Sequence, residues 1–301
     1  MQAGRASRTA EFMGLFRALE TCRRPPAARL FADPFAAPLL RGPLRAVAAT
    51  AALPLIGGGV ARVIDRRWPG ARTSAVARTR LIDDALAAVL REGIAQVVIL
   101  GAGFDSRAYR IPGIERARVF EVDYPSTSAS KRARLAALLG ALPDHVAFVA
   151  LDFDRQPLLA ALDAAGCDRG RRSVLIWEGV TNYLTAAAVD ATLRDLATFA
   201  AGSPLLFTYV HRGLLDGNMP FEGMERLAAT LQRAGEPWTF GFDPAELPAY
   251  LAARGIELVE DVGACEYRAR YLGDAGRGYA FYRAVTARVG DGATRGDACP
   301  R

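Results

Sequence analysis

The sequence predicts an α/β chain, a doubly wound and mostly parallel sheet of seven strands behind an N-terminal helical cap. Three observations carry this. Short continuous apolar runs, beginning with Val97-Val98-Ile99-Leu100, read as strands buried on both faces. Helical periodicities separate the first five such runs, and strand alternating with helix is the pattern of a parallel sheet. The last two runs have no helical pattern between them, so they are expected to pair as an antiparallel hairpin at the sheet edge.

Taken in order, residues 9–20, 27–40, 43–53 and 73–90 place apolar side chains at three- and four-residue spacings. Pro25-Pro26 and Pro34 punctuate them. The charge-free stretch 46–61 is shorter than the ~20 apolar residues of a membrane-spanning helix. It contains Pro54 and Gly57-Gly58-Gly59, and reads as a buried helix followed by a glycine-rich loop. Strands are expected at 97–100, 118–122, 147–151, 173–177 and 205–210, with helices near 126–139, 157–165 and 187–201. Residues 256–262 and 278–286 are the last two strands. The chain thus divides into a helical cap at 1–90 and an α/β core at 91–288, with a lid insertion at 211–254. A Gly-, Asp- and Arg-rich tail at 289–301 is expected to fray.

The composition limits the function. At 301 residues, 51% apolar and 23% charged, the chain is neither disordered nor collagen-like. Its 38 Lys+Arg against 32 Asp+Glu give a net +6, which invites a polyanion partner. Lys131 is the only lysine, however, and so strong an arginine bias reads as codon usage. Neither a nucleic-acid nor a membrane partner is expected. No apolar segment follows the arginines of residues 1–8, so no secretory signal is expected. Cys22, Cys167, Cys265 and Cys299 are too scattered for a metal site or disulfide framework, which suits a reducing cytoplasm.

In an open α/β sheet, ligands bind beyond the carboxyl ends of the strands, so the strand ends are the places to read. The first ends in Gly101-Ala102-Gly103-Phe104-Asp105-Ser106, where glycines permit a tight turn and close approach of a ligand. Asp105 disfavours a pyrophosphate at the following helix start. Asp123 lies 22 residues after Gly101, the spacing of an acid that accepts from ribose hydroxyls; a helix-capping acid is the plainer alternative. Asp152-Phe153-Asp154 ends the third strand, where a carboxylate can accept from an exocyclic adenine amine. Glu178 closes the fourth, at the mouth of the sheet. An acid-rich mouth suits a ligand with sulfonium, ammonium, ribose and adenine groups and a single carboxylate. S-adenosylmethionine has that set, and Arg78 or Arg80 could take its carboxylate bidentately.

These motifs resemble the leucine carboxyl methyltransferase family, in particular its bacterial polyketide O-methyltransferase branch. The resemblance rests on Ala77-Arg78-Thr79-Arg80-Leu81-Ile82-Asp83-Asp84, Val98 through Arg107, and Val119-Phe120-Glu121-Val122-Asp123-Tyr124-Pro125. It continues through Asp152-Phe153 and Trp177-Glu178-Gly179-Val180 to Tyr183-Leu184. It implies a Rossmann-like methyltransferase sheet that takes S-adenosylmethionine and releases S-adenosylhomocysteine. Arg78 would then bind the methionine carboxylate, while Gly101, with Ala102, Gly103 and Asp105, would line the loop under the cofactor. Asp123 with Tyr124 would hold the ribose, Asp152 and Phe153 would flank adenine, and Glu178 would stand near the amino group. A basic residue from the cap would also reach the cofactor, with Arg17, Arg23 and Arg24 as candidates.

The expected reaction is O-methylation of a small carboxylate or phenol. A carboxylate is ionised at pH 7 and needs no base, whereas a phenol, with a pKa near 10, would benefit from one. His211, directly after the fifth strand, is the candidate base, unless it merely bonds to backbone. Tyr183 is the second catalytic candidate. Met219, Phe221, Met224, Trp238, Phe240 and Phe242 could wall an apolar acceptor pocket, so an apolar or aromatic acid or phenol is expected. The alternatives are an NAD(P)-linked oxidoreductase and a non-catalytic S-adenosylmethionine-binding protein. Oligomeric state is left open.

Overall fold

The computed structural model describes residues 8–153, 155–274 and 276–291. Five helices come first: α1 (Arg8–Arg23), α2 (Ala36–Leu39), α3 (Gly42–Ala51), α4 (Pro54–Arg67) and α5 (Ala71–Arg91). Then β1 (Gln96–Leu100), α6 (Arg107–Arg110), β2 (Arg118–Asp123), α7 (Pro125–Leu139), β3 (Val146–Ala150), α8 (Leu158–Ala164) and β4 (Val174–Trp177) follow. The chain continues through α9 (Ala186–Leu196), β5 (Pro204–Val210), α10 (Arg212–Leu215), α11 (Met224–Ala234), α12 (Leu247–Ala252), β6 (Ile256–Gly263), α13 (Ala264–Leu272) and β7 (Tyr282–Val289).

The strands form one sheet in the order β3-β2-β1-β4-β5-β7-β6. The first five run parallel, while β7 enters antiparallel between β5 and β6. All five residues of β1 are buried. Side chains alternate between faces along a strand. Val98, Leu100, Phe120 and Trp177 therefore pack with Val189 and Leu193 of α9, and Val97, Ile99 and Val119 with Ile82 and Leu86 of α5. Because the connections leave β1 and β4 in opposite directions, the sheet opens a crevice beyond their carboxyl ends.

Three expectations require correction. The last two strands do pair antiparallel at the sheet edge, but they are not joined as a simple hairpin, because α13 lies between them. Glu266 accepts from the Gly263 N–H at its start, and Tyr267 bonds to Ser74 of α5 at 2.6 Å. Arg268 is fully buried on the inner side of that helix, and a charge at an inward position conceals the helical period. Residues 27–40 are not one helix, either. Asp33 accepts from the N–H groups of Phe35 and Ala36, starting the single turn of α2. Finally, the Gly57-Gly58-Gly59 run sits inside α4, not in a loop. A Cβ on Gly57 would lie 2.2 Å from the Ala51 carbonyl, so close packing on α3 requires glycine there despite its helix cost of ~1 kcal/mol; Gly58 and Gly59 have no such neighbour. Nor is the 46–61 stretch buried throughout, since Leu53 and Ile56 are exposed.

Within 211–254, Phe242, Leu247 and Leu251 belong to the sheet core, so that part of the insertion is not a cover. Val289, expected to begin a frayed tail, closes β7; residues 292–301, Arg5 and Asp154 lie outside the described residues. Among the described residues no helix is long and apolar enough to cross a membrane.

Candidate functional site

A cleft of about 440 Å³ opens beyond β1, β2, β3 and β4. Its floor is the turn after β1, where Gly101 and Gly103 have φ of +64° and +43°. A Cβ at Gly101 would meet Cγ2 of Val180 at 2.2 Å, so only glycine lets the chain turn here beneath the β4 loop. Ala102, Asp105, Tyr124, Asp152 and Phe153 also border the cleft.

Asp123, at the end of β2, accepts from the N–H of Gly103 at 2.5 Å and from that of Tyr124 at 2.6 Å. Burial raises its carboxyl to about 6, although the two N–H donors oppose the rise. Glu178, after β4, bridges two arginines: Oε1 accepts from Nε of Arg78 and Oε2 from Nη1 of Arg107, both at 2.7 Å. Burial disfavours its charge, but Arg107 and Arg78 prevail and hold the carboxyl at about 2. Asp105 bonds to Arg107 at 2.5 Å. Against the cost of burial, Arg107 and then Arg17 hold it well below the usual carboxylate range.

The mouth is therefore not the uncompensated acidic surface that the sequence implies. Arg107, which sequence reasoning passed over, touches Asp83, Asp105 and Glu178. Its signal was available, because it directly follows the glycine turn and stands two residues from Asp105.

Arg78 also stands 4.5 Å from the ring of Tyr282, beside the cleft. Arg80 does not reach it and pairs instead with Asp84 at 2.8 Å. Of the three cap arginines, Arg17 borders the cleft, held by Asp33 and the Phe104 carbonyl, whereas Arg24 pairs with Glu20 and Arg23 lies against α4.

The β4–β5–β7 side is walled by Met13, Tyr183, Trp238, Tyr279 and Tyr282. Burial raises the phenols of Tyr183 and Tyr279 above their ordinary range. Above them, Glu236 accepts from both the N–H and the hydroxyl of Thr9, joining α1 to the segment after α11. Of the six apolar side chains expected to wall an acceptor pocket, only Trp238 borders the cleft; Phe221, for one, packs on Phe281. His211 is not at the cleft either. It caps α10, its Nδ1 accepting from the Gly213 N–H at 3.0 Å, because the chain turns away from the rim directly after β5.

Residues 10–197 match the leucine carboxyl methyltransferase family. The chain belongs to that family. A Mycobacterium sp. (strain JLS) protein named "Putative S-adenosyl-L-methionine-dependent methyltransferase" is 36% identical over 193 residues, 60% of each chain. The match thus spans less than two thirds of that relative's length. A Frankia alni protein described in the same words is 34% identical over 245 residues, 76% of each chain. A crystal structure of a "putative methyltransferase" from Thermobifida fusca YX shares the fold. Its TM-score is 0.57 at 22% identity, covering 90% of this chain and 97% of that one.

The family's cofactor is S-adenosylmethionine, and the residues present fit it. The glycine turn leaves a cradle that a Cβ would fill. At the cleft edge, the hydroxyl of Thr127 is buried with no hydrogen-bond partner among the described residues. Asp123 retains lone pairs for ribose hydroxyls, and the Arg78–Glu178 pair offers one charge to a carboxylate and the other to an ammonium group.

Proposed function

We propose that this chain is an S-adenosylmethionine-dependent O-methyltransferase acting on a small apolar or aromatic carboxylate. The observation that carries the reading is an aromatic-walled cleft with no free base among the described residues. Asp105 and Glu178 are held as anions by arginines, Asp123 is engaged by two backbone N–H groups, Asp152 faces Arg155, and His211 lies elsewhere. A phenol, with a pKa near 10, would find no group to take its proton, whereas a carboxylate arrives ionised.

S-adenosylmethionine supplies the methyl group. Asp123, Thr127 and Asp152 bind the nucleoside part, and Arg78 with Glu178 orients the amino-acid part. Tyr183 and Tyr279, kept as neutral phenols by burial, donate hydrogen bonds to the acceptor carboxylate, while Met13, Trp238 and Tyr282 exclude water. Catalysis then rests on positioning. The free thiols of Cys22, Cys167 and Cys265 support a reducing, cytoplasmic setting.

The test is transfer of labelled methyl groups to matched aryl carboxylates and phenols between pH 6 and 9. The expected products are esters that hydroxide cleaves, formed at a kcat independent of pH. Faster turnover of phenols to base-stable ethers would overturn the carboxylate assignment. Binding of S-adenosylhomocysteine without turnover of any acceptor would favour a purely binding role.

A further inference from the structure

From residue 34 to residue 64 the chain has no acid, although Arg41, Arg45 and Arg62 lie in it. This stretch builds the α3–α4 hairpin. Helix α4 buries Ala61 and Ile64 and leaves Val63 63% exposed and Ile56 44% exposed; Leu53, just before it, is 53% exposed. Ile56 and Val63 are seven residues apart, so they share one side of the helix. Arg62, Arg66 and Arg67 on the same helix and Arg45 on α3 are exposed. Asp65 does not offset these charges outward, because Arg72 holds it through two hydrogen bonds at 3.0 and 2.7 Å.

Positive charge is also crowded on the inner side of α4. Arg23 lies against Gly57 of α4, and its Nε is buried with no hydrogen-bond partner among the described residues. Burial, and then the nearby Arg72 and Arg24, pull its pKa down, and the Glu20 and Asp65 carboxylates only partly oppose the fall.

We propose that the α3–α4 hairpin docks on an anionic lipid surface. Exposed aliphatic side chains and arginines on one hairpin match an interface in which apolar groups enter the headgroup boundary and guanidinium groups meet phosphates. A second copy related by a two-fold axis would set like charges against each other. A nucleic acid would leave Leu53, Ile56 and Val63 without a partner. The helix lies on the membrane without crossing it, in keeping with the short 46–61 stretch. It leads directly into α5, whose Ala71, Ala75 and Arg78 border the cleft, so docking would bring the cleft to the layer in which apolar acids dissolve. The docking itself stands independently of the reaction proposed above.

The experiment is co-sedimentation of the full chain with phosphatidylcholine vesicles, with and without one third phosphatidylglycerol, at low and high salt. Binding is expected only to the anionic vesicles and is lost at high salt. The double variant Arg62→Gln/Arg66→Gln should weaken it about thirtyfold, and Val63→Asp on the order of tenfold. Leu138→Asp, at an exposed apolar site on α7, should leave it unchanged. Equal binding to neutral vesicles overturns the proposal, and that comparison needs no variant. It also fails if Val63→Asp instead converts a dimer to a monomer in light scattering. Tighter binding to duplex DNA, unaffected by Val63→Asp, would overturn it as well.

Discussion

Nη1 of Arg107 donates to Oε2 of Glu178 at 2.7 Å, while the other oxygen of the same carboxylate is held by Arg78. The residue expected to face a cofactor ammonium is thus fixed from two sides before any ligand arrives. Removing one partner of a buried ion pair costs about 3–5 kcal/mol, because the other charge is stranded. Arg107→Met strands Asp105, leaves Asp83 to Arg110 and Glu178 to Arg78 alone, and should lower stability by about that much in urea melts. Arg107→Lys, which keeps the charge but not the planar fork, should lose less. A melt of Arg107→Met indistinguishable from wild type would disprove the pairing.

The same carboxylate sets an acid limit. Its folded pKa, about 2, lies below its ordinary value, so its contribution to stability is present above about pH 4.5 and is lost as pH falls toward 2. That contribution is on the order of 3 kcal/mol. Acid unfolding of Glu178→Gln, compared with wild type between pH 5 and 2, should show a shallower loss of stability. Parallel curves would count against the depressed pKa.

Asp123 works in the opposite sense. Its carboxyl is raised to about 6, so it gains a proton as pH falls below 6 and then competes as a donor where ribose hydroxyls also donate. Calorimetric affinity for S-adenosylhomocysteine should fall by up to tenfold per pH unit below 6. Asp123→Asn should bind more weakly at pH 7 and lose that slope. A flat wild-type profile would remove Asp123 from the ribose role.

The parallel half of the fold was legible because its central strands are buried on both faces and read as apolar runs, as in Val97 to Leu100 and Val174 to Trp177. Glycine and acid at the ends of those strands located the cleft for the same reason. What escaped was tertiary. Arg268 is an inward charge that hides the period of α13, and Gly57 is a helix residue required by the Ala51 carbonyl. Arg107 looks like a surface arginine until its neighbour Asp105 and two carboxylates from distant segments, Asp83 and Glu178, converge on it. The single lysine shows the same effect, since Lys131 is buried and pairs with Glu121 at 2.8 Å. His211 failed for a geometric reason, because a residue following a strand end can turn away from the rim within one peptide.

His211 therefore makes a discriminating test. As the cap of α10 it satisfies one N–H, and losing such a cap costs about 1 kcal/mol. His211→Ala should reduce stability by that amount and leave kcat on a carboxylate within about twofold of wild type. A hundredfold loss of kcat at unchanged KM would restore it as a base.

Gly101 carries the sharpest steric prediction. Its φ of +64° is one that L side chains rarely adopt, and an added Cβ would overlap Val180 Cγ2 at 2.2 Å. Gly101→Ala therefore meets two separate obstacles, the backbone conformation and the clash. The turn must shift, which carries the Gly103 N–H away from Asp123 and should weaken S-adenosylhomocysteine binding by at least about tenfold. Val180→Ala removes the clash but not the conformational cost of ~1–2 kcal/mol. In a double-mutant cycle, Gly101→Ala/Val180→Ala should recover part of the stability lost by Gly101→Ala alone and remain below Val180→Ala. Strict additivity would mean that the two residues do not touch, and full recovery would mean that the turn imposes no conformational demand at residue 101.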